Sequence, residues 1–156
     1  MDEVQNAIMQ RWIVLGVVAM ALLVGGGALA YHQYKRNLPA PVWVPLPVNP
    51  QLPEARRDET ARELRAKLCE GDLLLKVARD VGLAKKWNLP TDEEAAREIE
   101  RRLFVRSGDA DTAAGKVPAI HVGMNGANKD REVSGEITTR LMDDVWRIIG
   151  IKRPPK

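Results

Sequence analysis

The most constraining feature of the chain is an uncharged, proline-free run from Trp12 to Ala30, which reads WIVLGVVAMALLVGGGALA. A water-soluble helix of this length would carry polar side chains along one face, and this run carries none. As an α-helix it would extend over about 28 Å, close to the thickness of the hydrocarbon core of a bilayer. The run therefore predicts a single transmembrane helix.

Aromatic and small residues mark the predicted span. Trp12 stands at its start and Tyr31 directly follows its end, positions where amphipathic rings favour the membrane interface. Small residues spaced four apart allow two helices to approach closely in lipid. The two such pairs are Ala21 with Gly25 and Gly26 with Ala30. Self-association of the helix is one interpretation of this spacing, and the general frequency of Gly and Ala in membrane helices is the other.

A secretory signal peptide is the alternative to a retained anchor. The residues from Ala28 to Ala30 fit a small-x-small cleavage site after the apolar run. The residues before the run carry two acids and one arginine, which is a poor match to the basic start of a signal peptide. The sequence therefore favours residues 1–36 as an N-terminal tail and retained transmembrane helix. The charges that flank the run do not decide which side of the membrane the following residues occupy.

Proline dominates the next segment, residues 37–53. Prolines at this density cannot propagate a helix and favour extended backbone. We interpret the segment as a rigid spacer rather than a PxxP ligand. The tripeptide from Val42 to Val44 can also form an edge strand, because proline is tolerated at the edge of a sheet.

Residues 54–151 are predicted to fold as one small α+β domain, with residues 152–156 as a tail. Its helices are predicted to pack on a short, mainly antiparallel sheet. Apolar residues that recur at helical spacing predict its core. The predicted core residues are Leu73, Val77, Val81, Trp87, Ile99, Leu103, Ile137, Leu141 and Val145.

Several local signals predict where the helices begin and end. Gly82 follows an amphipathic stretch and is predicted to stop it. Thr91 and Glu94 form a T-x-x-E capping box, which is typical of a helix start. Gly150 is predicted to stop the last helix, and its Asp143 and Asp144 are predicted to face solvent.

Two short strands are predicted in the second half of the domain, at residues 103–106 and 118–123. Ile120 and Val122 alternate onto one face of the second strand, so His121 is predicted to point to the opposite, more polar face. Residues 107–116 are small and have no fixed period, and they are predicted to form a loop.

The residue patterns of catalysis and of cofactor or metal binding are not assembled in the sequence. The single cysteine, Cys69, excludes an intramolecular disulfide and a CxxC site and is interpreted as a small buried hydrophobe. No HExxH, phosphate loop or GxSxG occurs. The net charge of +3 is spread over interleaved signs rather than a basic stripe. The sequence therefore predicts a non-enzyme with no cofactor, no metal and no nucleic-acid partner.

Two segments in the middle of the chain carry a resemblance to a known family. Cys69 to Trp87 reads CEGDLLLKVARDVGLAKKW, and Thr91 to Arg106 reads TDEEAAREIERRLFVR. Together they resemble the N-terminal domain of chain-length determinant proteins, the Wzz-type polysaccharide co-polymerases. The resemblance implies a transmembrane helix followed by a periplasmic α+β domain. In that domain a core helix and a capped helix lead into a strand that ends at Arg106, and Pro118 to Ile151 would supply a further strand and helix.

The chain departs from that family in two features. The coiled coil and the second transmembrane helix of the family have no counterpart among these residues, so we expect a minimal version consisting of an anchor and a base domain. The resemblance implies a single-pass accessory protein of cell-surface polysaccharide assembly or export in the bacterial inner membrane. It would act through protein contacts, as a homo-oligomer or in a larger export or polymerase complex. The contact surfaces would be the Ala21/Gly25 helix face and the helix faces of the small domain.

Two alternatives to this interpretation stay open. One is an exported periplasmic binding module with a cleaved signal peptide, which would hold a ligand between the loop at residues 107–116 and the sheet. The other is a scaffold that faces the cytoplasm.

Overall fold

The computed structural model describes residues 20, 22, 25–113 and 115–150 of the chain. These residues divide into two compact units, with the division between Leu38 and Pro39. In the first unit, residues 25–37 form helix α1. Among the described residues, no helix combines the length and the apolar character needed to cross a bilayer.

The predicted membrane anchor is only partly covered by this description. Trp12 and Ala21 lie outside the described residues. The other predicted anchor residues lie in α1 and are exposed: Gly25, Gly26, Ala30 and Tyr31. The transmembrane helix therefore stays a prediction.

The second unit is an α+β domain whose helices pack on a small antiparallel sheet, as the sequence predicts. Its three strands lie in the order β1-β3-β2, with β3 at the centre. The elements are β1 (Val42–Pro47), α2 (Glu54–Leu68), α3 (Leu73–Val81), α4 (Leu83–Lys86), α5 (Asp92–Arg102), β2 (Leu103–Thr112), β3 (Gly115–Met124), a 3-10 turn (Asn128–Asp130) and α6 (Arg131–Ile148). The proline-rich segment thus contributes an edge strand.

The core lies between the helices and one face of the sheet. Val122 of β3 is in register with Val44 of β1 and Val105 of β2, and the residues two positions away in each strand share their face. The structure buries these predicted core residues: Val77, Ile99, Leu103, Ile137, Leu141 and Val145. The remaining three are half-buried against the same cluster: Leu73, Val81 and Trp87.

The predicted helix boundaries are confirmed where a local signal specified them. Gly82 adopts a φ of 68° after α3, and Gly150 adopts a φ of 70° after α6, the left-handed conformation that glycine allows. The Thr91 hydroxyl accepts a hydrogen bond from the backbone N–H of Glu94 at 3.2 Å. This bond satisfies one of the free N–H groups at the start of α5.

The predicted loop at residues 107–116 is wrong. Residues 107–112 continue β2, so this strand does not end at Arg106, and they pair in register with residues 115–120 of β3. The hydroxyl of Thr112 donates to the carbonyl of Gly115 at 2.7 Å where the hairpin turns. Ser, Gly, Asp and Ala have low intrinsic strand propensity, but the ladder to the central strand outweighs that preference.

The predicted exposure of Asp144 is also wrong. Asp144 is only 4% exposed. Its carboxylate accepts a hydrogen bond from Arg140 at 2.7 Å and forms an ion pair with Arg147 at 3.0 Å. Arg140 also bonds Asp80 of α3 at 2.8 Å. The carboxylate can be buried because arginines one turn before and after it on α6 neutralise its charge.

At the end of α5, Glu98 forms an ion-pair cluster that makes stability depend on pH. Hydrogen bonding from Arg101 lowers the pKa of Glu98, burial opposes this shift, and Arg102 adds to it. Because folding lowers this pKa, the ionised carboxylate stabilises the folded state at pH values above the ordinary glutamate pKa. This stabilisation is lost as the pH falls through the pKa of the folded state.

We therefore expect Glu98→Gln to lower the free energy of unfolding at neutral pH, by less than about 1 kcal/mol because the pairs are partly solvated. The difference from the wild type should shrink as the pH falls below the ordinary glutamate pKa. Urea unfolding from pH 7 down to about pH 3 measures it, since this range brackets the ordinary carboxyl pKa. Glu63→Gln is the control, because Glu63 is exposed on α2. A Glu98→Gln difference that is as large at the acid end as at pH 7 contradicts the assignment.

Candidate functional site on the open face of the sheet

The face of the sheet that points away from the core is the candidate functional site. Its side chains alternate with the core residues along each strand. It consists of three rows, each with one residue from β1, β3 and β2 in register. The rows are Trp43–Gly123–Phe104, Pro45–His121–Arg106 and Pro47–Ala119–Gly108. We call these nine residues the open face. None of them belongs to the core cluster, and the most exposed large apolar side chain among them is Trp43, at 43%.

His121 occupies the middle of the open face, on the central strand. Its ring stacks with that of Trp43, with 6.1 Å between the ring centroids and 23° between the planes. The ring also lies over Gly108, where an added Cβ would come within 3.1 Å of the imidazole Cε1. Nε2 lies 3.1 Å from the carbonyl oxygen of Asp109 and can donate to it. These contacts fix the ring in one orientation.

The prediction for His121 is half right. The side chain points away from Ile120 and Val122, as the alternation requires. The face it joins is mainly aromatic and apolar, however, because Trp43 and Pro45 of β1 lie beside it, and Arg106 of β2 is the charged residue in register with it. The sequence alone did not predict that β1 would pair with this strand, so these neighbours were missed.

Gly123 allows β1 to approach the central strand closely. A Cβ built on Gly123 would lie 2.2 Å from the carbonyl oxygen of Val42 and 2.6 Å from the Cβ of Trp43. No side chain fits this space without moving the strand. The position of the Trp43 indole over the open face therefore depends on the glycine opposite it.

A second aromatic side chain and a cation extend the open face onto β2. The guanidinium of Arg106 lies 5.0 Å from the centroid of the Phe104 ring, within cation–π range. Arg106 is exposed and Phe104 is half-buried. Tryptophan, phenylalanine and arginine are the residue types enriched in protein interfaces. An exposed patch of this composition is typical of a surface that binds another protein.

Cys69 follows α2 and packs partly against the core rather than belonging to the open face. Burial raises the pKa of its thiol, and the nearby charge of Arg65 opposes that shift. Since the thiolate is the reactive form, this cysteine is a poor nucleophile at neutral pH.

Comparisons of the chain with models of protein families, with curated proteins and with solved structures found no match. The resemblance to chain-length determinant proteins therefore stays a prediction that depends on the two quoted segments.

Proposed function

We propose that the chain is a single-pass, membrane-anchored accessory protein of cell-surface polysaccharide assembly or export. The observation that carries this proposal is the order of elements around the two quoted segments. The first segment forms α3 and α4, and the second forms the capped helix α5 and the start of β2. A further strand and a helix, β3 and α6, then follow, in the order that the resemblance implies.

The domain acts through protein contacts, and the open face is the surface that makes them. The helix faces of the domain are the surfaces that the sequence favours for this role. The open face is the better candidate because it combines an exposed tryptophan, a stacked histidine and an arginine held over a phenylalanine. Rigid aromatic side chains lose little conformational entropy when a partner covers them.

In this proposal residues 12–30 are a retained transmembrane helix, the protein lies in the bacterial inner membrane, and the domain lies in the periplasm, as the resemblance implies. The partner is a second copy of the chain or a component of the polymerase or export complex. The rival interpretation, an exported periplasmic binding module with a cleaved signal peptide, needs a ligand loop at residues 107–116. The β2–β3 hairpin uses most of these residues for strand pairing, which favours the contact role.

Photo-cross-linking in intact cells tests the contact surface. A photoreactive phenylalanine analogue at position 43 should give a discrete adduct of higher mass, because Trp43 lies on the open face. The same analogue at position 63, which is exposed on α2, is the matched control and should give none. Equal adducts at the two positions, or none at position 43 in cells that make the protein, would contradict a contact role for the open face.

A further inference from the structure

A cleft of about 340 Å³ lies where the α4–α5 turn, α5 and the 3-10 turn before α6 meet. It shares no residue with the open face. Trp87 and Leu89 form its apolar wall. The charged groups around it are the cations of Lys86, Arg102 and Lys129 and the carboxylates of Glu98 and Asp130. Small-molecule sites begin at about 300 Å³, so the cleft fits a ligand of the size of one sugar ring.

The guanidinium of Arg102 is held in place at the cleft. Its Nε donates to Glu98 at 2.6 Å and its Nη1 donates to Asp130 at 3.0 Å. The group also lies 4.8 Å from the centroid of the Trp87 ring. Contacts on three sides fix a planar cation before any ligand arrives, which lowers the entropic cost of binding.

The cleft also has a cation that is left without an ion-pair partner among the described residues. Lys129 is exposed at the rim and makes no ion pair within the described part of the chain. The neighbouring Lys86, in contrast, is paired with Glu136. An anion at the rim would therefore form a charge-assisted contact with Lys129 that the described residues do not supply.

These features together select a small, oxygen-rich anion that also has an apolar face. A sugar ring would present C–H groups to Trp87 and Leu89, and its hydroxyls would bond the side chains of Asn88 and Asp130. A carboxylate on the ring would pair with Lys129 through a charge-assisted hydrogen bond. An inorganic anion would leave the apolar wall unused, and a neutral sugar would leave Lys129 without a partner.

We propose that this cleft binds one residue of an acidic sugar of the uronic acid class. The inference that this sugar belongs to a polymer rests on the proposed function. The inference that the cleft binds an acidic sugar rests only on the residues that line it.

Binding to the full-length protein in detergent micelles tests the proposal. The indole N–H resonances of the four tryptophans are recorded by NMR, and Trp87→Phe assigns the relevant one. The three ligands are a tetramer of 1,4-linked galacturonate, maltotetraose as a neutral sugar, and inorganic phosphate. We expect a saturable shift of the Trp87 resonance with the galacturonate tetramer, and a much weaker response to the other two.

Lys129→Ala should weaken binding of the galacturonate tetramer about fivefold or more, because it removes one charge-assisted contact. Lys85→Ala is the control, because Lys85 is an exposed lysine on α4 that does not line the cleft. The affinity of this variant for the galacturonate tetramer should equal that of the wild type. No saturable shift, an equal response to phosphate or maltotetraose, or equal weakening by the two lysine variants overturns the proposal. A failure here leaves the cross-linking result at position 43 unaffected, so the two proposals fail separately.

Discussion

Gly123→Ala is expected to destabilise the domain by about 2–3 kcal/mol, the upper part of the range for forcing an extra carbon into a packed site. The added Cβ would lie 2.2 Å from the carbonyl oxygen of Val42 and 2.6 Å from the Cβ of Trp43. Both contacts are with β1 at or next to its backbone, so no flexible side chain end can move aside. The strand must shift away from β3, which weakens the pairing and tilts the Trp43 indole off His121.

Urea unfolding of the full-length protein in detergent measures this loss, and Gly135→Ala is the matched control. Gly135 lies inside α6, and a Cβ built there meets nothing within 4 Å. The same substitution should therefore stabilise the protein, by up to about 1 kcal/mol, since alanine is the better helix former. Opposite signs at the two glycines support the close approach of β1. A Gly123→Ala protein as stable as the wild type contradicts it.

Asp144→Ala is expected to cost about 2–3 kcal/mol of unfolding free energy. The carboxylate is 5% exposed and pairs with Arg140, whose side chain is 26% exposed. Removing one partner of a fully buried ion pair costs about 3–5 kcal/mol, because a charge is left desolvated without a counterion. The effect here is smaller, since Arg140 keeps its bond to Asp80 at 2.8 Å.

The two arginines around Asp144 provide an internal comparison for this prediction. Arg147 is 75% exposed, so Arg147→Ala should change stability by less than about 1 kcal/mol. A double-mutant cycle of Asp144→Ala with Arg140→Ala should give a coupling energy of at least about 1 kcal/mol, and one with Arg147→Ala much less. Urea unfolding of the variants gives both values. Equal coupling energies of Asp144 with the two arginines would contradict this prediction, because they would mean that burial does not set the strength of each ion pair.

The elements that sequence reasoning predicted are those with a local signal. The hydroxyl of Thr91 precedes its helix and reaches an N–H three residues away, and Gly82 can adopt a positive φ where the chain turns. Such features depend on neighbours within a few residues, so the sequence contains all the information needed. The same holds for the α+β class, because helical and strand periodicities stand in separate segments.

The larger error falls where residues outside the segment decide its conformation. Residues 107–112 form a strand because β3 supplies their hydrogen-bond partners, which outweighs a composition typical of loops. The error at Asp144 is of a different kind, because its partners Arg140 and Arg147 are close to it in the sequence. The pattern of an acid with arginines four before and three after it was visible in the sequence, and it favours an intrahelical pair.

The open face was the least predictable part of the domain. Its central feature, the stacking of Trp43 on His121, joins residues from a proline-rich segment and a strand far along the chain. The contact depends on the register of β1 with β3 and on Gly123 opposite Trp43. Register is a property of the whole sheet, and no local pattern in the sequence specified this one.

The proposed role in cell-surface polysaccharide assembly or export can be tested with a deletion strain. Surface polysaccharide from wild-type, deletion and complemented cells is separated by size on a gel. We expect the deletion to change the chain-length distribution or the yield, the wild-type gene to restore it, and a Trp43→Ala gene to restore it less well. An unchanged ladder with an unchanged yield in the deletion strain would contradict the proposed role.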